Sequence, residues 1–415
     1  MKSRFLKKVL LEKSNSPLGR IIVLTGARQT GKTTLAKKCF PDYQYLSIED
    51  PVLRIQYKEL TANQWNANYP FSILDEVQKE PQLIESIKSV YDQYENTRYL
   101  LLGSSQLLLL QKVKESLAGR CIIQEVFPLT LPEILTNGWN EAPKNSFFQD
   151  FLESKALPDL LPSFNLYPDF SIKEEAFKYY LNYGGYPALI NPLLKDDERV
   201  EWLRNYVHTY LERDIRDLAD FKSLDPFVKI QRITSLLTGQ LINYSQLGRE
   251  AGVTSNTAQR FLQYLEISYQ TILLQPWYSN TLKRLVKTPK LHYLDPGVQK
   301  AIVQKTGDLT GNEFESAIVA EIYKQAQVVG FKSPFYHLRT HDGAEVDLII
   351  ETETHFIAIE IKMTNNVSHT DIRNLKTLKN ILTKPVLQSF VISNDKAIKK
   401  FPENILAIPA SMFLT

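Results

Sequence analysis

The stretch Leu24–Thr34 reads LTGARQTGKTT and continues the apolar run Ile21–Leu24. It contains the pattern G-x-x-x-x-G-K-T over Gly26–Thr33, with a β-branched strand before it and a helix-like run after it. The two glycines let the backbone curl so that successive N–H groups point inward, and the following helix adds its positive amino-terminal end. Such a loop fits a triphosphate, so the sequence predicts a P-loop.

The residue types of this loop predict individual roles. Lys32 is expected to reach the β- and γ-phosphates of ATP as a catalytic residue, and the Thr33 hydroxyl is expected to bind Mg²⁺. The residues expected to bind the nucleotide are Gly26, Ala27, Arg28, Gln29, Thr30, Gly31, Lys32, Thr33 and Thr34.

A second buried strand, within Pro70–Glu76, ends in two carboxylates. After a P-loop this is the Walker B position, where Asp75 would hold Mg²⁺ and Glu76 would polarise the attacking water as general base. The alternative is a strand that runs into a solvated acidic turn. The preceding P-loop favours the catalytic interpretation.

Composition sets the class of protein. The chain has 415 residues, 43% hydrophobic and 23% charged, which is typical of folded proteins and suits two to four domains. The two cysteines, Cys39 and Cys121, are too few for a disulfide framework, and no apolar run is long enough for a signal peptide or a membrane span. We therefore expect a cytoplasmic protein with no membrane partner.

The motifs LTGARQTGKTT, FSILDE, LLLGSSQ, ESLAGR and FPLTLPEI occur in this order. The chain in this respect resembles the prokaryotic AAA-type ATPases that carry a C-terminal domain of unknown function, from about residue 18 almost to its end. The resemblance implies an α/β protein: a P-loop AAA-type ATPase domain with a helical lid, a winged helix-turn-helix, and a C-terminal α/β restriction-endonuclease-like domain of the PD-(D/E)XK type. It implies ATP and Mg²⁺ as cofactors.

The corresponding boundaries are a lead-in segment at 1–20, the P-loop ATPase core at 21–135, the helical lid at 136–225, the winged helix at 226–300 and the restriction-endonuclease-like domain at 301–415.

Three further candidates in the ATPase part have open alternatives. Ser104 or Ser105 lies at a strand tip where AAA-type ATPases keep a polar sensor, but small residues also simply make turns. Arg120 either neutralises transition-state charge, in its own subunit or in a neighbour within an oligomer, or is a surface residue. Arg213 or Arg216 reaches back to nucleotide, or belongs to an ion-paired helix of the lid.

The stretch Tyr244–Leu265 has the pattern helix, glycine turn, helix, in which Gly252 opens the turn and Ser255 caps the second helix. Residues 226–295 hold eight Lys or Arg and three Asp or Glu, a net charge of +5, against +3 for the whole chain. This excess suits contact with DNA phosphates, although winged helices also bind proteins.

The carboxy-terminal part contains a second candidate site. Asp347 lies on one strand and Glu360-Ile361-Lys362 on the next, which matches the D…E-x-K pattern of restriction-endonuclease-like nucleases. Glu360 and Lys362 share a strand face, so Asp347 and Glu360 would hold Mg²⁺ while Lys362 orients or activates water. Glu315 would add a ligand from a helix. The alternative is a hairpin with solvent-facing charges.

Together these patterns predict an ATP-hydrolysing AAA-type protein that associates with DNA and has a metal-dependent nuclease domain. One alternative is a nucleotide-gated nuclease that acts in defence against foreign DNA. Another is an ATP-dependent switch without nuclease activity that binds a protein partner through its winged helix.

Overall fold

A computed structural model describes residues 1–103, 113, 115–158, 161, 169–211, 223–280, 284, 287–340 and 343–415. The helices are α1 Phe5–Ser14, α2 Lys32–Cys39, α3 Pro51–Glu59, α4 Ala62–Asn68, α5 Gln82–Gln93, α6 Leu131–Leu135, α7 Phe147–Ser154, α8 Phe170–Tyr183, α9 Asp196–Tyr206, α10 Asp225–Leu236, α11 Tyr244–Ala251, α12 Ser255–Ile267, α13 Pro296–Val303, α14 Gly311–Val328, α15 Arg373–Thr377 and α16 Ala410–Phe413. The strands are β1 Ile21–Thr25, β2 Gln44–Ser47, β3 Phe71–Asp75, β4 Arg98–Leu102, β5 Ile122–Glu125, β6 Gln240–Leu241, β7 Thr271–Pro276, β8 Lys290–Tyr293, β9 Phe335–Arg339, β10 Glu345–Glu351, β11 Phe356–Lys362, β12 Val386–Ser393, β13 Lys399–Phe401 and β14 Ile405–Pro409.

The first sheet is parallel and has the strand order β2-β3-β4-β1-β5. Its inner strand β1, between β4 and β5, is buried along its whole length, with Val23 opposite Leu101 on one side and Ile123 on the other. Because helices cover both faces of a parallel sheet, its inner strands read as unbroken apolar runs. The carboxyl ends of β1 and β3 therefore meet at one edge.

A second sheet joins nine strands in the order β13-β14-β12-β11-β10-β9-β7-β8-β6. Strand β7 pairs in parallel with β9, with Gln275 opposite Tyr336, and antiparallel with β8. The sheet is therefore continuous across the boundary predicted between residues 300 and 301. Strands β10 and β11 form the antiparallel pair at its centre, with Leu348 opposite Ile359.

The segment predicted as a lid also contributes to the core of the second sheet. Phe148 of α7 and Tyr180 of α8 are buried in one cluster with Phe314 of α14, Leu348 of β10 and Phe390 of β12. The helices between residues 136 and 225 therefore pack on the carboxy-terminal sheet as well as reaching the P-loop.

Helices α11 and α12 are joined by a turn at Gly252, which has a φ of 75°. The side chain that caps α12 is that of Thr254, which accepts a hydrogen bond from the Thr257 amide at 3.2 Å. The predicted cap at Ser255 is wrong by one residue, since Ser255 is already the first helical residue. Thr254 has the extended backbone that an N-cap requires.

None of the helices within the described ranges has the length and apolar character needed to cross a membrane.

Candidate functional site

The backbone of the P-loop requires its glycines. Gly26 has a φ of 147°, and a Cβ atom there would lie 2.2 Å from the carbonyl oxygen of Val126. Gly31, which precedes α2, has a φ of 89°, in the region that favours glycine. Gln29 adopts a φ of 62° between them. These angles turn the chain sharply between β1 and α2.

Lys32 and Thr33 begin α2 and point toward the other parts of the site. The Lys32 ammonium donates to the carbonyl oxygens of Gly26 and Ala27, each at 2.8 Å, so it lies inside the loop that would surround a phosphate. Thr33 Oγ1 donates to Asp75 Oδ2 at 2.7 Å. The predicted Walker A and Walker B residues are thus in direct contact.

Tyr45 is a residue of this site that the sequence patterns did not indicate. Its hydroxyl donates to Asp75 Oδ2 at 2.9 Å, from the neighbouring strand β2. Burial, reinforced by the Asp75 carboxylate, raises the pKa of Tyr45, so the phenol stays protonated and holds the carboxylate. The Thr33 hydroxyl and the Asp75 carboxylate are hard oxygen donors, which fit Mg²⁺.

Glu76 lies immediately after β3 with a φ of 59°, a left-handed conformation that costs of order 1–3 kcal/mol in a residue other than glycine. The Glu76 Oε2 atom accepts a hydrogen bond from Gln78 Nε2 at 2.5 Å. The left-handed turn at Glu76 ends the strand β3, so this carboxylate follows the carboxyl end of β3, the same edge of the sheet that carries the P-loop.

Residues from outside the ATPase core contact the P-loop. The Tyr206 hydroxyl, at the end of α9, donates to the carbonyl oxygen of Arg28 at 3.2 Å and lies 3.0 Å from the Tyr186 hydroxyl. Pro187 is near enough that a Cβ at Gly31 would lie 3.8 Å from its Cγ. The segment predicted as a lid therefore covers part of the loop.

Arg4, in the lead-in segment, supports the loop from the other direction. It is 4% exposed, and its guanidinium donates to the carbonyl oxygens of Thr30 at 3.4 Å and of Phe127 at 2.5 Å. It also forms a buried ion pair with Glu133 at 3.4 Å. No periodicity or motif distinguishes this arginine from the other basic residues near the amino terminus.

Tyr269 connects the end of β1 to the second half of the chain. Its hydroxyl lies 2.8 Å from Thr25 Oγ1 and 3.3 Å from Glu125 Oε1, and its φ is 60°. It follows α12, the second helix of the helix–turn–helix. A strained residue in this turn therefore touches the strand that leads into the P-loop.

Arg120 lies far from the predicted phosphate position. It precedes β5, which runs parallel to β1. Arg120 therefore lies at the amino-terminal ends of these strands, whereas the P-loop follows the carboxyl end of β1. Its guanidinium pairs with Asp92 at 2.8 Å. This position does not support the predicted role in its own subunit. Ser104, Ser105, Arg213 and Arg216 lie outside the described residues.

The second candidate site lies on β10 and β11. The strand register places Asp347 opposite Glu360, one step beyond the Leu348–Ile359 pair. Asp347 Oδ2 accepts a hydrogen bond from the Ile361 amide at 2.8 Å, and the Lys362 ammonium lies 2.5 Å from Glu360 Oε1. The structure therefore brings the three predicted nuclease residues together beside a cavity of about 500 Å³, which Glu315 also lines.

Lys290 of β8 lies in the middle of this acidic group. Its ammonium is 2.6 Å from Glu315 Oε1 and 3.2 Å from both Glu345 Oε1 and Asp347 Oδ1. Lys290 is one of the eight basic residues of 226–295 that are predicted to be available for phosphate contact, but it is only 3% exposed. That part of the expectation is corrected, because its charge is used inside the protein. Arg284, which pairs with Glu351 at 2.7 Å, is likewise internal.

Burial and neighbouring charges perturb the titration of this group. Burial, with the charge of Asp347, raises the pKa of Glu360 to about 8 and holds the pKa of Glu315 well above its ordinary value. Burial alone would lower the pKa of Lys362, but the Glu360 and Asp347 carboxylates raise it. Burial and the charge of Lys290 hold the pKa of His292 well below its ordinary value, so His292 is neutral.

The carboxylate oxygens at this site suit a hard cation, but the positive charges of Lys290 and Lys362 already balance their negative charges. Asp347 and Glu360 are carboxylates of the kind that Mg²⁺ binds. Glu360 Oε2 is buried and has no hydrogen-bond partner among the residues that the structure describes. Over those same residues, no group of three or more His, Cys, Asp or Glu is arranged to hold a metal ion. The nearby Glu315 oxygen contacts Lys290 instead.

Comparisons with known proteins divide the chain into three matched regions. An AAA domain matches residues 18–135, a domain of unknown function (DUF8612) matches residues 174–309, and a second domain of unknown function (DUF4143) matches residues 310–413. The amino-terminal region is a P-loop ATPase domain of the AAA type. The carboxy-terminal domain is one of unknown function.

Relatives that match almost the whole of this chain occur in mycobacteria. An uncharacterized protein of Mycobacterium tuberculosis and one of Mycobacterium bovis are each 25% identical over 416 residues, covering 95% of this chain and 81% of the relative. An uncharacterized protein of Methanocaldococcus jannaschii is 23% identical over 298 residues, covering 66% of this chain and 60% of the relative. Among solved structures, the Walker-type ATPase of Pyrococcus abyssi has 16% identity and a TM-score of 0.45, over 73% of this chain and 96% of that chain.

Proposed function

We propose that this protein binds and hydrolyses ATP and acts on DNA through its carboxy-terminal half. The observation that carries the proposal is the contact of 2.7 Å between Thr33 Oγ1 and Asp75 Oδ2. Two residues far apart in sequence meet at one sheet edge, beside a loop whose glycine backbone fits phosphate. This is the arrangement that phosphoryl transfer by P-loop enzymes uses.

Each residue of the P-loop site has a distinct role in this proposal. The Lys32 ammonium leaves the carbonyl oxygens of Gly26 and Ala27 and binds the β- and γ-phosphates. Thr33 and Asp75 would hold Mg²⁺, which would neutralise phosphate charge when bound. Glu76 orients the attacking water and accepts its proton. Tyr45 keeps the Asp75 carboxylate in place.

The proposed DNA contact rests on exposed cations of the helix–turn–helix segment, which we interpret as a winged helix. Among the residues that the structure describes in this segment, the exposed cations are Lys229, Arg232, Arg249, Arg260 and Lys287. Lys290 and Arg284 do not contribute, because internal carboxylates pair with them. The remaining charge still suits phosphate contact.

A basic cleft adds to the support for a nucleic-acid substrate. It has a volume of about 570 Å³, and Lys178, Arg204 and Lys300 line it. Met363 also lines this cleft, while the preceding residue, Lys362, lines the acidic cavity. The cleft and the acidic cavity therefore approach each other at the end of β11.

Metal-dependent cleavage of DNA is the activity proposed for the carboxy-terminal cavity. Glu360 Oε2 favours this activity. It is a buried carboxylate oxygen with no hydrogen-bond partner in the described ranges, and such an oxygen is costly unless a cation or a proton satisfies it. Asp347 and Glu360 would hold the metal ion, and Lys362 would orient the water that attacks the phosphodiester.

The test combines ATP turnover with cleavage of labelled linear, branched and single-stranded DNA, in Mg²⁺ or Mn²⁺, with and without ATP. Glu76→Gln is expected to reduce ATP turnover by about 100-fold or more, in line with the usual contribution of a general base. Lys362→Ala is expected to abolish cleavage and to leave ATP turnover intact.

Two variants serve as matched controls. Glu80→Gln changes a partly buried carboxylate four residues from Glu76, and Lys384→Ala removes a lysine whose side chain is 31% exposed, against 38% for Lys362. Cleavage by Lys362→Ala at the native rate would contradict the nuclease assignment. If the protein hydrolyses ATP but binds none of these DNA substrates, the DNA assignment is contradicted. That result would favour a switch that binds a protein partner.

A further inference from the structure

The acidic cavity receives its central cation from a different segment of the chain. Asp347 and Glu360 belong to β10 and β11, and Glu315 belongs to α14, whereas Lys290 is the first residue of β8. Strand β8 pairs with β6, which precedes the helix–turn–helix, and with β7, which follows it. The site is therefore composite, built from both sides of the boundary predicted at residue 300.

The position of the Lys290 ammonium is that of a bound cation. Carboxylates from three residues approach one nitrogen atom within 3.2 Å, and the side chain is 4% exposed. Buried carboxylates need such a counter-charge, because an unpaired buried charge is strongly destabilising. A divalent ion that shared these oxygens would meet a positive charge only a few ångströms away, where repulsion is large.

We infer that Lys290 occupies the cation position between Glu315 and Asp347, and that a divalent ion binds there only when this ammonium withdraws. The inference rests on the proposed metal site. Glu360 Oε2 provides a second observation that points to a cation, since this buried oxygen lines the same cavity and lacks a hydrogen-bond partner within the described part of the chain. Lys290 is thus a positioning residue that holds the carboxylates together without metal.

The inference predicts that loss of the Lys290 charge increases metal affinity. We would titrate Mn²⁺ into the full-length protein without nucleotide, in an Asp75→Asn background that removes the metal ligand of the P-loop. Lys290→Met is expected to bind Mn²⁺ at least about tenfold more tightly than the protein with Lys290, because a repelling charge is gone. Lys290→Arg keeps the charge and is expected to bind as weakly as the parent.

Thermal unfolding gives a second readout. Lys290→Met is expected to be less stable than the parent without metal, and Mn²⁺ is expected to restore much of the loss, since an ion that binds the native state stabilises it. Lys324→Met is the matched control: Lys324 is fully buried against Glu321 at 2.8 Å, away from the cavity, so Mn²⁺ should not restore its stability. Lys290→Gln replaces Lys290→Met if the methionine variant does not fold.

The outcomes separate this inference from the proposed nuclease. Tighter Mn²⁺ binding by Lys290→Met supports the inference even when no DNA is cleaved. Equal or weaker binding by the variant overturns it, even when the native protein cleaves DNA, because Lys290 would then support the metal ligands instead of competing with the metal.

Discussion

The two candidate sites of this chain are built in opposite ways. At the P-loop, most of the chemistry lies in one continuous stretch, Gly26–Thr34, and a single contact joins it to Asp75. In the carboxy-terminal cavity, Glu315, Lys290 and the strand pair come from segments far apart in sequence. A site of the first kind can be recognised from spacing alone. A site of the second kind depends on which strands the fold places side by side.

Lys32→Ala tests this contrast with the largest expected effect. Loss of the ammonium that binds the β- and γ-phosphates is expected to reduce ATP turnover by about 100-fold or more. Mn²⁺ binding by the carboxy-terminal cavity should not change, because none of its residues comes from the P-loop. Phosphate release measures the P-loop site, and Mn²⁺ titration with Lys32→Ala placed in the Asp75→Asn background measures the cavity.

The control for Lys32→Ala is Lys8→Ala, which removes a lysine that is 83% exposed on α1. A loss of Mn²⁺ binding in Lys32→Ala would show that the two sites are not separate, and the contrast would fail.

Arg4→Met sharpens the contrast, because it asks how far the P-loop depends on residues outside its motif. The substitution removes the cation from buried Glu133 and two hydrogen bonds to the backbone around the loop. We expect a decrease of about 3 kcal/mol in the free energy of unfolding, as for other broken buried ion pairs. Urea denaturation, with Lys8→Met as the control, measures it. A decrease as small as that of the control would mean that Arg4 does not support the loop.

The smallest expected effect concerns Glu266, near the end of α12. Burial raises the pKa of Glu266 to about 7, so the folded protein holds a proton that the unfolded chain releases from about pH 4.5 upward. The stability that this proton supports is fully present below about pH 4.5. It falls as the pH rises from about 4.5 to about 7, and it is lost above pH 7. Glu266→Gln should remove this part of the pH dependence.

We expect Glu266→Gln to gain roughly 1–2 kcal/mol over the native protein between pH 5 and pH 8, after allowance for the partial exposure of Glu266. Denaturation at both pH values measures the difference, and Glu250→Gln, on the exposed face of α11, is the control. The same difference in both variants would exclude Glu266 as the source.

The sequence was most informative where local spacing decides the structure. The P-loop motif and the motif order predicted an α/β protein with a P-loop AAA-type ATPase domain, and this part of the prediction is confirmed. The alternation of side chains along a strand also predicted that Glu360 and Lys362 lie on one face of β11. Arg4, Tyr45, Tyr269 and Lys290 were missed or misassigned, since their partners lie on other elements and no periodicity encodes such contacts.

Two errors have simple physical reasons. Thr254 and Ser255 are adjacent hydroxyl residues, and only the backbone conformation determines which one caps α12. The sum of charges over residues 226–295 treated every lysine and arginine as exposed. The fold instead uses Lys290 and Arg284 to neutralise internal carboxylates, which composition does not reveal.

The hydrogen bonds between β7 and β9 have a mechanical consequence. They make the helix–turn–helix and the carboxy-terminal strands parts of one stiff body, since bending them apart would break a sheet. A rearrangement driven by the phosphates would reach this body through its contacts with the ATPase core, which include Tyr269 against Thr25, Tyr206 against Arg28 and Tyr323 against Phe127. The two tyrosine hydroxyls are thus among the contacts through which a movement of the P-loop would shift the second half of the chain as a unit.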